Sequence, residues 1–248
     1  MCQLLALAFN EPVTPALSFR GFRHRANDNP HGWGLASFSG STATITKEPT
    51  RADTSDTVES ILENHDLTSK IFIGHVRYGN VGGVSMLNTH PFAKKLRGKD
   101  FVLAHNGTLN GLKPPPNARH TPDGTTDSEL ALCVLADWLI EENCAITDFA
   151  RIHDRLRKLN DFGKLNLLFS DGEHLFAYHD AHRYKGLCYT HRKSPFPCVS
   201  LSDEDWTALD KAFEQNTDPL TGKHVPGPVY EKLFSQIVSI APAPIGLG

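Results

Sequence analysis

Cys2 opens the chemical reading. Removal of an initiator Met leaves Cys2 at the N-terminus, with a thiol and an α-amino group in one residue. An α-amine with a pKa of about 7.7–8.0 is a general base at neutral pH. A thiol that carries its own base is an activated nucleophile. The plainer alternative is a small residue that precedes a strand. Further along, Gly74-His75-Val76-Arg77-Tyr78-Gly79 ends an apolar run, so Arg77 projects at a sheet end or in a loop. Its guanidinium fork suits a carboxylate, although most single arginines lie on the surface. In Asn88-Thr89-His90-Pro91-Phe92, a turn with a fixed-φ proline, His90 either handles a proton, orients a substrate, or braces the turn by a hydrogen bond. His105-Asn106-Gly107-Thr108 follows a hydrophobic strand. An Asn side chain and a Gly N–H at a tight turn can form an oxyanion hole, and a plain Asn-Gly turn is the alternative. Thr126-Asp127-Ser128-Glu129 opens a helix, where Asp127 either holds an ammonium or complements the helix dipole.

The elements that must position these groups are partly legible. Residues 3–9 read as a buried strand, and 32–38 with 42–48 as a strand pair. A helix over 54–65 has Thr54 or Ser55 as its cap. Strands follow at 70–76 and 101–104, the second running into Asn106-Gly107 as a turn signal. Thr126-x-x-Glu129 is a capping-box pattern ahead of Ala131, Val134, Leu135, Trp138 and Leu139, one face of a helix. A second helix takes Thr147 as its cap and turns Phe149, Ile152 and Leu156 inward. Asp171-Gly172 joins two strand-like runs into a hairpin. Residues 186–191 read as a strand, 203–215 as an amphipathic helix and 236–241 as a late strand. Strands at both ends with helices between them predict one α+β domain over residues 1–248, with largely antiparallel sheets.

Composition narrows the class. The 248 residues, 40% of them hydrophobic, are enough to bury a core of roughly 70–75% of the unfolded surface. Twenty-five Lys and Arg against 28 Asp and Glu give a net charge of −3, without the basic excess of a nucleic-acid or anionic-membrane binder. The 13 histidines are many, and their protonation would reverse the sign of that charge. Five cysteines without a CxxC predict reduced thiols and a cytoplasmic setting. No stretch is long enough to span a bilayer or to act as a signal peptide, so no membrane partner is expected. His179, His182, Cys188, His191 and Cys198 lack a familiar zinc spacing, and no metal or cofactor is expected.

In their order, Cys2, HVRY, NTHPF, HNGTL and TDSE resemble the class II glutamine amidotransferases, a group with a catalytic N-terminal cysteine. The resemblance is greatest to the small stand-alone, YafJ-like members, whose DGWG is matched by HGWG at 31–34. It covers roughly residues 2–191, with 237–246 similar to a late family strand. It implies an αββα sandwich of two antiparallel sheets between helical layers. It implies Cys2 as nucleophile, Asn106 and Gly107 as oxyanion donors, and Arg77 and Asp127 as holders of the substrate carboxylate and ammonium. Tyr78, where the family often has Trp, and His90 complete the substrate side. The implied reaction cleaves glutamine or a larger γ-glutamyl compound through a Cys2 thioester, releasing glutamate and ammonia or an amine. The alternative is a glutamine-binding or ammonia-donating subunit that acts only with a separate synthetase partner.

Overall fold

The computed structural model describes residues 2–64 and 66–189. The expected helix at 203–215 and strand at 236–241 lie outside them, as do His191 and Cys198. In chain order the elements are β1 (Gln3–Val13), α1 (Ala16–Arg23), β2 (Trp33–Ser39), β3 (Thr42–Glu48), α2 (Asp56–Glu63) and β4 (Ser69–Val76). They continue with β5 (Phe92–Leu96), β6 (Lys99–Leu109), α3 (Asp127–Glu141), α4 (Phe149–Asn160), β7 (Gly163–Ser170) and β8 (Leu175–Tyr178). Two four-stranded sheets form, ordered β1-β4-β2-β3 and β5-β6-β7-β8, and every pairing is antiparallel.

Strand alternation sorts the core into layers, because neighbouring side chains leave opposite faces of a sheet. Ala36, Phe38, Ile71 and Ile73 of the first sheet meet Val102, Ala104 and Leu168 of the second in the middle layer. The intervening residues Leu35 and Phe72 face outward, where they pack with Phe19 of α1 and with Val58 and Leu62 of α2. On the far side, Phe101, Leu103, Leu167 and Phe169 pack against Leu132, Leu135 and Leu139 of α3 and Ile152 and Leu156 of α4. The result is the αββα sandwich that the family resemblance implies. Each fully buried Leu or Phe contributes about 1.5–3 kcal/mol of transfer free energy.

Several local readings change. Asn106-Gly107 is not a turn: both residues lie inside β6, opposite Asn166 and Leu165 of β7. A two-residue type I′ hairpin turn needs positive φ at both positions, and neither residue adopts it. Asp148, not Thr147, caps α4 by accepting the Arg151 N–H at 3.2 Å. Phe149 does not turn inward but stands 53% exposed at the first position of that helix. Residues 186–189 form no strand, although 175–178 complete the hairpin around Asp171-Gly172. Ser55 is the cap of α2, accepting the Val58 N–H at 3.2 Å.

Candidate active site

The register of β1 against β4 delivers the thiol. Gln3 lies opposite Val76, so the chain before β1 runs beside the residues that follow β4. There the half-buried Cys2 Sγ accepts the Tyr78 N–H at 3.2 Å and faces the Tyr78 carbonyl at 3.3 Å. Burial pushes the thiol up, while the Tyr78 backbone and the Arg77 charge pull it back toward ionisation. The Tyr78 side chain itself is 40% exposed and rests against the His31 ring, with centroids 5.2 Å apart.

Arg77 is only 2% exposed. Its Nη2 donates to the carbonyls of Val81 at 2.9 Å and Gly82 at 3.3 Å, and its Nη1 reaches the His31 carbonyl at 3.5 Å. Among the described residues it has no carboxylate partner. Burial pulls its pKa down, and the Cys2 charge acts in the opposite direction. A desolvated cation held by neutral carbonyls is a seat for an incoming anion, because an unpaired buried charge is costly. Gly79 gives the guanidinium its room: a Cβ there would stand 2.7 Å from Nη1. The Gly79 N–H donates to His31 Nδ1 at 3.0 Å, which gives the histidine of HGWG a positioning task. Trp33 of the same motif is fully buried and donates to Glu48 at 3.1 Å.

β6 supplies an open edge. β5 pairs with it only as far as Leu103, while β7 follows it to Leu109 on the other side. Beyond Leu103 the His105 carbonyl turns to the open side and meets His75 Nε2 at 3.2 Å. The Leu109 N–H turns the same way and donates to Asp127 Oδ2 at 2.6 Å. Gly107 shares their parity, so its N–H faces that edge as well. Lys164 explains why the residue is glycine, since a Cβ at 107 would lie 1.9 Å from its carbonyl oxygen.

The TDSE segment turns out to be four separate anchors. Thr126 caps α3 by accepting the Glu129 N–H at 3.2 Å. Asp127 is tied to Leu109. Ser128 Oγ lies 2.8 Å from His105 Nδ1. The Glu129 carboxylate does not return to Thr126, so only half of the expected capping box forms. It accepts instead from the N–H groups of Asp123 at 3.0 Å and Gly124 at 2.8 Å, and pairs with Lys94 at 2.9 Å.

His90 does not brace its turn by a hydrogen bond: both ring nitrogens are buried without a partner. It is held by stacking on His75, with centroids 4.1 Å apart, and by the Phe92 ring at 4.4 Å. Burial lowers the pKa of His90, His75 and His105, to about 3 for His75, so the rings are neutral. The turn is instead clasped by Asn88, which donates to Gly83 O at 3.1 Å and accepts the Thr125 N–H at 2.8 Å. Asn88 thus joins the loop that wraps Arg77 to the loop that precedes Asp127. Tyr184 was not singled out by its sequence, a lone tyrosine in a polar stretch. Burial and the nearby Cys2 charge raise its phenol, and its carbonyl accepts from Asn166 at 2.6 Å. The structure therefore places Cys2, Arg77 and Tyr78 at one strand end and Gly107 and Asp127 along the open edge of β6, with Asn106 between His105 and Gly107 in the same strand, opposite Asn166 of β7. His90 lies buried beneath, stacked on the residue two before Arg77.

Known proteins resemble this chain over most of its length. Residues 1–220 match the family described as "Glutamine amidotransferases class-II". The protein named "Putative glutamine amidotransferase YafJ" of Escherichia coli (strain K12) is 32% identical over 239 residues, covering 90% of this chain and 91% of that one. "Uncharacterized protein MJ1515" of Methanocaldococcus jannaschii is 36% identical over 233 residues, covering 90% of this chain, which spans 65% of the relative's length. A crystal structure titled as a "predicted glutamine amidotransferase from Pseudomonas aeruginosa PA01" superposes with a TM-score of 0.52 at 26% identity, covering 73% of each chain. The chain belongs to the class II glutamine amidotransferases, and its sandwich is of the N-terminal-nucleophile type. No helix among the described residues is long and apolar enough to cross a membrane.

Proposed function

We propose that this chain hydrolyses the γ-carboxamide of glutamine, or of a larger γ-glutamyl amide, through a thioester on Cys2. The observation that carries the reading is the buried Arg77 guanidinium, held by carbonyls alone and adjoining the Cys2 thiol. Arg77 receives the substrate α-carboxylate, and Asp127 receives the α-ammonium. With its poles held, the amino-acid end presents its far carbonyl to Sγ. After removal of Met1, the α-amine of Cys2 takes the thiol proton as Sγ bonds to the amide carbon. The Asn106 side chain and the Gly107 N–H stabilise the tetrahedral oxyanion. Collapse breaks the C–N bond, and the stored proton leaves with ammonia or the amine. Water then adds to the thioester, the C–S bond breaks, and glutamate departs with the thiol restored.

The test combines intact mass with turnover. The isolated chain, incubated with glutamine and with γ-glutamyl peptides, should release glutamate. Its mass should show loss of Met1 and a single adduct at Cys2 after treatment with a glutamine-analogue electrophile. Absence of both turnover and adduct would overturn the proposal. Turnover by the isolated chain also separates it from an ammonia-donating subunit that works only beside a synthetase.

A further inference from the structure

We infer that His105 and Ser128 form a positioning pair that keeps one oxygen of Asp127 free for the substrate ammonium. The inference rests on the functional reading above and deepens it. Neither residue touches the substrate; they act through Asp127 and the oxyanion strand.

The argument is one of hydrogen counting. His105 Nε2 lies 3.0 Å from the Lys164 carbonyl, a group that can only accept. Nε2 must therefore carry a hydrogen. The ring is almost fully buried, which disfavours a second proton. Nδ1 is then a bare acceptor, and Ser128 Oγ at 2.8 Å donates its single hydrogen there. Asp127 Oδ1, at 3.5 Å, is the second acceptor within reach of the same Oγ, but a hydroxyl has one hydrogen and the 2.8 Å contact to Nδ1 takes it over the much longer one. Asp127 Oδ2 is filled by the Leu109 N–H at 2.6 Å. One carboxylate oxygen thus fixes the side chain to β6, while the other keeps its acceptor capacity for an ammonium.

The reverse chain of donors fails on geometry. It would have Nδ1–H donate to Ser128 and Ser128 donate to Asp127 Oδ1. In a neutral ring that leaves Nε2 bare, with its lone pair facing the Lys164 carbonyl at 3.0 Å. It would also spend the oxygen that the ammonium needs. The ring has a second effect on the same site. A Cβ at Gly107 would stand 2.5 Å from His105 Nε2, so the imidazole lies directly against the oxyanion strand. One side chain therefore sets both the start of α3 and the course of β6 at Gly107.

The experiment uses the full chain, its Ser128→Ala and Ser128→Thr variants, and two thiol reagents. The chloroketone analogue of glutamine must bind by its amino-acid end before it alkylates Cys2. Iodoacetamide needs no such end. Ser128→Ala unfastens the His105 ring from α3 and lets Asp127 shift, so the analogue concentration for half-maximal labelling should rise about tenfold, the scale of one weakened hydrogen bond between the Asp127 carboxylate and the ammonium. Iodoacetamide should label it at the wild-type rate, and Ser128→Thr, which keeps the hydroxyl, should restore the analogue's affinity. Nitrogen-15 NMR of the histidines should show His105 as the Nε2–H tautomer. Equal losses with both reagents would mean general loosening and would overturn the positioning role, as would unchanged analogue affinity or an Nδ1–H tautomer. A wild-type chain that ignores the analogue would overturn the functional reading and, with it, this role. That outcome is recognisable because iodoacetamide labelling and the tautomer remain readable.

Discussion

At the residue scale, the site is a set of groups whose burial makes them expectant. Arg77 lies among carbonyls, Asp127 has one oxygen committed, and the Cys2 thiol is pushed up by burial. Each consequence is measurable. In the proposed mechanism Asn106→Ala removes one oxyanion donor, so it should cost about 10²–10³ in kcat with little change in KM, read from steady-state glutamate release. Arg77→Lys keeps a charge but loses the fork, so KM for glutamine should rise at least about tenfold while iodoacetamide still reaches Cys2. An unchanged KM would remove Arg77 from substrate binding. Most of these residues were legible in the sequence because their types are chemically distinctive. Tyr184 and Ser128 were not, since their partners Asn166 and His105 lie 18 and 23 positions away.

At the element scale, pairing overrode local propensity at Asn106-Gly107, where β7 supplied hydrogen bonds that a turn would have forfeited. The same competition explains Glu129: the capping-box pattern correctly marked the helix start, but Lys94 and the 123–124 backbone outbid the Thr126 N–H for its carboxylate. Phe149 was assigned inward because a helical stripe has no sharp edge at its first residue, where the chain is still entering the helix. The start of α3 offers a direct test. Thr126→Ala should lower stability by about 0.5–2 kcal/mol, the worth of a cap. Glu129→Ala takes the acceptor from the Asp123 and Gly124 N–H groups and one of two carboxylates from half-buried Lys94, which keeps Asp123 at 2.8 Å, and should cost about 2 kcal/mol or more in urea unfolding. A smaller effect for Glu129 than for Thr126 would reject this division of labour.

At the scale of the whole molecule, the layering followed from alternation in β1, β2, β4, β6 and β7, whose long apolar runs were readable. The stacking of the two sheets was supplied by the family resemblance, because no local pattern says which faces meet. The histidine excess acquires a partial explanation: His75, His90 and His105 are buried together beneath the site. In the unfolded chain they take up protons near pH 6.5, whereas folded His75 holds out to about 3. Between those values the unfolded state binds more protons, so stability falls as pH falls. The slope is up to about 1.4 kcal/mol per pH unit for each such histidine. Urea midpoints should therefore drop steeply from pH 7 to pH 5, and a flat or rising profile would contradict the neutral, buried state of the rings.

The two poles at Arg77 and Asp127 also bear on how the reaction ends. In the proposed reaction both read the amino-acid end of the molecule and neither reads the carbonyl that changes. Glutamate presents the same carboxylate and ammonium as glutamine, so the product retains the substrate's full grip after the amide is gone. Progress curves should bend early as glutamate accumulates, and turnover would then be governed by the ratio of the two amino acids rather than by the concentration of glutamine alone.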